Sequence, residues 1–254
     1  MKTLIVFDFD HTLVDDNSDT WLVRCAPDQN LPDWLMNTYQ RGRWTEYMGR
    51  VMTYIGENAV TKEAIQREME TIPFTDGMIE LLTFIGANKS EVDCIVVSDA
   101  NCLFIEWILH AGGVRGAVDQ VFSNPASFDE RGFMTVRCHH SHQCSRCPVN
   151  MCKRKILEDF LAEKASGGVE YRRVFYAGDG GNDLCPAWCL RVGDVVLPRR
   201  GFTLEKLLER LQSGQAPQEE HQTVGLKPSV LPWASGTEIL EELKTCIEKS
   251  TEGD

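Results

Sequence analysis

Thr3-Leu4-Ile5-Val6-Phe7-Asp8-Phe9-Asp10-His11-Thr12 begins with an apolar, β-rich run that stops abruptly at a carboxylate. An unbroken run of this kind is the pattern of a strand covered on both faces, as in a parallel sheet. Similar runs recur at Cys94-Ile95-Val96-Val97, Val174-Phe175-Tyr176-Ala177 and Asp194-Val195-Val196-Leu197, each followed by turn residues or a helical pattern. This alternation of βαβ units predicts an α/β, doubly wound parallel sheet.

Between the first two runs the pattern changes. Trp44, Tyr47, Met48, Val51, Met52 and Ile55 fall on one helical face, Pro32 suits a helix start and Gly56 a helix end. Ile65, Met69 and Ile72 repeat the helical spacing before Pro73 stops it. Residues 15–74 are therefore expected to be an all-helical insertion, with its aromatic and methionine stripe as interior packing. Residues 1–14 and 75–254 form the α/β core domain around it, with Ser213 to Pro232 as an exposed connection and Thr237 to Lys249 as a closing helix.

The whole chain has 254 residues, enough for a substantial core, and carries 26 Lys+Arg against 38 Asp+Glu, a net charge of −12. That balance disfavours nucleic acid and anionic membrane surfaces as partners. Neither a signal segment nor an apolar run of spanning length is apparent, which predicts a cytoplasmic protein whose 10 cysteines are thiols, packing residues or metal ligands.

In an open parallel sheet, ligands bind beyond the carboxyl ends of the strands. Three polar groups follow strands here: Asp8/Asp10, Ser98/Asp99, and Gly178-Asp179-Gly180-Gly181-Asn182-Asp183. Asp8, Asp10, Asp179 and Asp183 converging at one edge would repel without a cation, and hard oxygen donors favour Mg²⁺. Two carboxylates spaced as Asp8 and Asp10 can divide attack from proton transfer, although an isolated pair of this kind more often caps a strand. Ser98 and the amides after it suit a phosphate at the start of the next helix, or simply cap that helix. Lys153 stands on the face shared by Ile156, Leu157 and Phe160, whereas Arg154 and Lys155 pair at i+4 with Glu158 and Asp159. It is the expected fixed cation.

This ordered set resembles the four motifs of haloacid dehalogenase (HAD) superfamily phosphatases, a match that covers nearly the full chain. The resemblance implies a Rossmann-like HAD core with a helical C1-type cap inserted after the first motif. It also implies Asp8 as nucleophile forming a phospho-aspartyl intermediate and Asp10 as proton donor and acceptor. Thr12 and Ser98 would hold phosphate oxygens, and Lys153 would neutralise charge. Mg²⁺ would be held by Asp8, the Asp10 backbone carbonyl and Asp179, with Asp183 helping directly or through water. Asp15-Asp16-Asn17-Ser18-Asp19-Thr20-Trp21, Cys25-Ala26-Pro27 and Cys147-Pro148-Val149-Asn150-Met151-Cys152-Lys153 narrow the resemblance. They are similar to the vertebrate branch whose members act on phosphoethanolamine and phosphocholine or on pyridoxal 5′-phosphate. In that branch the positions of Asp19 and Asp99 are assigned to substrate, which suits a cationic head, though each could merely favour a helix start. Trp21 and Trp44 are available to a pyridoxal ring.

Cys138, His139, His140, His142, Cys144, Cys147 and Cys152 crowd into 15 residues, and Cys144-x2-Cys147 has zinc-like spacing. A structural Zn²⁺ would draw ligands from His140, His142, Cys144, Cys147 and Cys152; otherwise these residues line a flap that binds nothing. His11 and His110 read as structural or solvent-facing. Two competing functions are a phosphomutase or other phosphotransferase, and a zinc-stabilised interaction protein without catalysis. The leading expectation is a Mg²⁺-dependent phosphatase acting on a small phosphate ester.

Overall fold

Every residue of Thr3–Phe7 is buried, and this strand, β1, sits inside a parallel sheet in the computed structural model, which describes residues 1–214 and 225–251. On one side lie β2 (Val92–Asn101) and then β3 (Gln120–Asn124). A separate antiparallel hairpin follows, β4 (Ala126–Phe128) with β5 (Met134–Val136). On the other side of β1 lie β6 (Arg173–Gly178), β7 (Val195–Pro198) and β8 (Ser229–Val230). Every pairing in this six-stranded sheet is parallel.

Strand periodicity sends alternate side chains to opposite faces. Ile5 and Phe7 pack in a core that includes Met78, Leu81, Phe104, Ile105, Ile239 and Leu243, whereas Leu4 and Val6 pack with Ile156, Leu157, Phe160, Leu204 and Leu208. Fully burying one such aliphatic or aromatic side chain contributes roughly 1.5–3 kcal/mol, so β1 is stabilised from both sides. The sheet is thus covered on both faces, as its apolar runs predict.

An antiparallel bridge between Val14 and Phe74 brings the two ends of the intervening segment together as a neck. Asp15 N donates to Pro73 O at 2.8 Å and Thr75 N to Leu13 O at 3.0 Å, tightening this neck. Between them lie α1 (Ser18–Trp21), α2 (Asp33–Met36), α3 (Trp44–Glu57) and α4 (Lys62–Met69). In α3, Tyr47, Met48, Val51, Met52 and Ile55 are buried as their spacing predicts, but Trp44 remains partly exposed. Gly56 does not end the helix. It lies within α3, where an added Cβ would come 2.6 Å from the Phe133 ring, so the glycine permits close packing against the β4–β5 hairpin.

The remaining helices are α5 (Met78–Ala87), α6 (Cys102–Ala111), α7 (Lys153–Ser166), α8 (Leu184–Ala187), α9 (Thr203–Gln212) and α10 (Gly236–Thr251). The expected exposed connection from Ser213 to Pro232 is corrected at its far end. Ser229–Val230 pairs as the edge strand β8, and the adjoining Trp233 is buried with its indole N–H donated to Leu197 O at 2.8 Å. Residues 215–224 of that connection lie outside the described residues. Short polar strands such as β3 and β8 lack the apolar run that identifies the central four. Among the described residues, no helix is long and apolar enough to cross a membrane.

Candidate active site

The crossover direction changes at β1, which has β2 on one side and β6 on the other, and the crevice beyond their carboxyl ends is the expected ligand position. Asp8 enters it directly after β1, its N–H held by Ala177 O at 2.9 Å. Asp8 Oδ1 accepts from Phe9 N at 2.6 Å, and Oδ2 lies 2.7 Å from Lys153 Nζ. The same ammonium lies 2.8 Å from Asp183 Oδ1. Lys153 is only 1% exposed, so the face selected by helical spacing does point into the site.

Asp183 is held by four donors. Oδ1 accepts from Lys153 and from the Tyr176 hydroxyl at 2.7 Å; Oδ2 accepts from Asp179 N at 3.2 Å and Gly180 N at 2.9 Å. A carboxylate offers about four lone-pair positions, so this one is fully used. The tight loop requires glycine at 178, because a Cβ there would come 2.5 Å from Asp183 Cγ. Asp8, Asp179 and Asp183 each offer an oxygen within 4.8 Å of the others, a hard donor set suited to Mg²⁺.

Asp10 Oδ1 accepts from Ser18 N at 2.9 Å, joining the motif after β1 to the start of α1. One turn into the insertion, Asp19 is 7% exposed and accepts the Trp44 indole N–H at 2.7 Å. Thr12 is fully buried, and its Oγ1 has no hydrogen-bond partner. A buried hydroxyl left unpaired is costly, which a phosphate oxygen at this position would relieve.

Ser98 is buried at the site, but it does not start a helix. Strand β2 continues to Asn101, whose Oδ1 accepts from Phe104 N at 3.1 Å and caps α6. Both the anion-at-helix-start and the Ser/Asp cap readings of Ser98 are therefore corrected, because Asn101 is the capping residue. Ser98 Oγ instead accepts from Ala100 N at 3.2 Å. Asp99 is half-buried, and its charge is felt by Asp8, Asp10, Asp19 and Asp179.

The electrostatics follow from crowding acids in a low-dielectric crevice. Burial, then the charge of Asp183, hold the Asp8 carboxyl well above the usual carboxylate range despite Lys153. Burial and Asp19 do the same to Asp10. Burial pushes Asp19 up to about 7 against the Trp44 hydrogen bond. Asp179 also rises to about 7, through burial and then Asp183. For Lys153, burial opposes the charge, but Asp183 and Asp8 outweigh it and raise the pKa. The crevice therefore has an excess of carboxylates over cations.

Sequence reasoning missed Tyr176, which lies within a run read only as a buried strand, and Arg199. The latter follows β7 at the ligand-binding edge, so the carboxyl-end rule could have found it. Arg199 Nη1 donates to His11 O at 2.6 Å and its other nitrogen pairs with Asp15, tying the loop after β7 to that after β1. His11 itself adopts a left-handed φ of 53° and packs its ring near Phe202, a structural role. His110 is exposed and bonds Glu106 O at 2.9 Å.

The expected zinc ligand set is also corrected. Cys144, Cys147 and Cys152 converge with Cys185, from α8, and not with the two histidines. His142 accepts from Cys144 N at 3.2 Å through Nδ1 and bonds Pro148 O at 2.8 Å through Nε2. His140 Nε2 accepts from Cys152 N at 3.1 Å. Backbone groups occupy the imidazoles.

A doubly wound sheet with a buried lysine bridging two aspartates at its carboxyl edge defines a HAD-type phosphatase. The solved structures support that fold. The phospho-aspartyl intermediate analogue of phosphoserine phosphatase aligns with a TM-score of 0.52 at 16% identity, covering 82% of this chain and 98% of that one. Cytosolic 5′-nucleotidase IIIB bound to cytidine aligns at 0.59 and 14% identity, covering 100% of this chain and 88% of that one.

The particular family follows from sequence. Residues 3–247 match the family described as "Putative Phosphatase", and the chain belongs to it. Pyridoxal phosphate phosphatase PHOSPHO2 of Bos taurus is 47% identical, with 98% of this chain and 100% of the relative covered. The phosphoethanolamine/phosphocholine phosphatase of Homo sapiens is 40% identical, with 97% and 90% covered. The chain is a HAD phosphatase close to these vertebrate enzymes.

Proposed function

We propose that this phosphatase is Mg²⁺-dependent and hydrolyses a small phosphomonoester through an aspartyl phosphate on Asp8. The observation that carries this reading is the Lys153 ammonium, 2.7 Å from Asp8 Oδ2 and 2.8 Å from Asp183 Oδ1 inside a crevice crowded with further carboxylates. In the first half-reaction an Asp8 oxygen attacks phosphorus, the ester P–O bond breaks, and Asp10 gives its proton to the leaving oxygen. In the second, Asp10 takes a proton from water, whose oxygen attacks phosphorus; the Asp8–phosphate bond breaks and inorganic phosphate leaves. Burial keeps Asp10 protonated to higher pH, as the first step requires.

Thr12 and Ser98 are assigned to phosphate oxygens and Lys153 to the charge shared by phosphate and nucleophile. Asp8, the Asp10 backbone carbonyl and Asp179 would hold Mg²⁺. Bound there, the ion supplies charge neutralisation between nucleophile and phosphate. Asp183 is already saturated by Lys153, Tyr176 and two amides, which favours contact with the ion through water. Residues 15–74 act as the cap over a core made of 1–14 and 75–254, closed at the Val14–Phe74 bridge. A Cys-rich chain with a thiol cluster next to its catalytic lysine suits the reducing cytosol.

The substrate head is assigned to Asp19 and Asp99, whose mutual repulsion a cation would relieve. Phosphoethanolamine and phosphocholine bring that cation. Pyridoxal 5′-phosphate brings a ring for which Trp44, partly exposed and anchored on Asp19, is better placed than Trp21, whose face is covered by Arg24 at 4.4 Å. Rates of phosphate release from these three esters and from a sugar phosphate, at equal concentration with and without Mg²⁺, test the proposal. The expected result is Mg²⁺-dependent hydrolysis that prefers one of the three. Turnover undiminished by chelation, or isomerisation of the sugar phosphate without phosphate release, would overturn it.

A further inference from the structure

Outside the catalytic crevice, the described residues bring one other set of metal-competent side chains together. Cys144, Cys147, Cys152 and Cys185 place their sulfurs all within 4.8 Å of one another. Cys144 Sγ and Cys185 Sγ are 3.8 Å apart. That separation is far beyond a disulfide bond of about 2.05 Å. It matches the edge of a tetrahedron of thiolates around Zn²⁺, which for Zn–S bonds of about 2.3 Å is roughly 3.8 Å.

We propose that Cys144, Cys147, Cys152 and Cys185 bind one structural Zn²⁺. Four thiolates close the coordination sphere, leaving no open position for substrate or water, so the ion takes no part in phosphoryl chemistry. Each thiol gives up its proton to solvent on binding, and the resulting complex carries a net double negative charge. Arg154 lies close enough to Cys185 to offset part of it.

The neighbouring histidines support this set rather than compete with it. His142 and His140 accept the backbone N–H groups of Cys144 and Cys152, holding two of the cysteines from outside the cluster. Such outer partners orient metal ligands.

The position of the site gives it a purpose. Cys152 is the residue before α7 and immediately precedes Lys153, while Cys185 lies two residues after Asp183. The ion would clamp the loop that delivers the lysine to the short helix that follows its carboxylate partner. Zinc binding stands on the sulfur geometry alone; the clamping of catalytic parts also rests on the roles proposed for Lys153 and Asp183.

Metal analysis of the full chain, expressed with zinc and dialysed into Mg²⁺ buffer, tests the site directly. One zinc per chain is expected, and replacement by Co²⁺ should give the intense visible bands of a tetrahedral tetrathiolate. Cys185→Ser should lose the zinc and those bands, whereas His142→Ala should retain both. Should the serine variant fail to fold, the wild-type stoichiometry and Co²⁺ spectrum decide the matter. A wild-type chain with less than stoichiometric zinc and no thiolate bands, or one whose intact mass shows these cysteines as disulfides, overturns the proposal. So does full zinc retention in Cys185→Ser. None of these readouts depends on phosphatase activity, so the failure of one proposal would be distinguishable from that of the other.

Discussion

Lys153 Nζ lies 2.7 Å from Asp8 Oδ2, and both side chains are almost wholly buried. The lysine thereby joins the helix after the Cys/His segment to the end of the central strand. Removing one partner of a buried, hydrogen-bonded ion pair leaves uncompensated charge and costs about 3–5 kcal/mol. Lys153→Met should therefore destabilise the Mg²⁺-free protein by roughly that amount in denaturant titrations. Without the lysine, the folded Asp8 pKa rises further above its unfolded value, so the charged form is penalised as pH rises. The gap to wild type should narrow in acid and with added Mg²⁺; a gap independent of both contradicts the proposed charge balance.

Asp8→Asn removes the nucleophile while preserving shape. Phosphate release should fall by at least about a thousandfold. The melting temperature should change little, because Asp183 still pairs with the Lys153 ammonium and burial already disfavours the charge on Asp8. Retention of full turnover by this variant would falsify the aspartyl mechanism.

Tyr176→Phe deletes one of the four donors to Asp183 without altering the apolar packing of β6. Loss of such an outer partner typically reduces metal affinity or activity about 10–100-fold. The Mg²⁺ concentration for half-maximal activity should rise, while substrate KM at saturating Mg²⁺ stays near wild type. An unchanged Mg²⁺ titration would show that the hydroxyl does not organise the metal site.

Asp19 carries the clearest pH signature. Burial raises its carboxyl from 3.8 to about 7, so the native state holds a proton that the unfolded chain has released. Stability from this group is present below the unfolded value and is lost as pH rises towards 7, by up to roughly 4 kcal/mol. Asp19→Asn should flatten that decline, seen as a smaller loss of denaturant midpoint between pH 5 and pH 8. A cationic substrate head should also bind more weakly to this variant, whereas a phosphate ester with an uncharged head should not. Identical pH profiles for the two proteins would remove Asp19 from the electrostatic account.

Local pattern in the amino-acid sequence was enough to determine the four central buried strands, the helices within residues 15–74 and the face from which Lys153 points. It also placed Asp8, Asp10 and the Asp179–Asp183 loop just beyond strand ends, whereas Ser98 falls inside β2, which runs on to Asn101. These features follow from periodicity and adjacency, which neighbouring residues impose on one another through backbone geometry. Tertiary structure alone decided that Asn101 caps α6, that Tyr176 and two amides saturate Asp183, and that Arg199 ties down the His11 loop. It also replaced two histidines by Cys185 in the thiol cluster. Each of those outcomes depends on the final direction of a particular side chain or on which loops meet across the sheet edge, and no local periodicity encodes either.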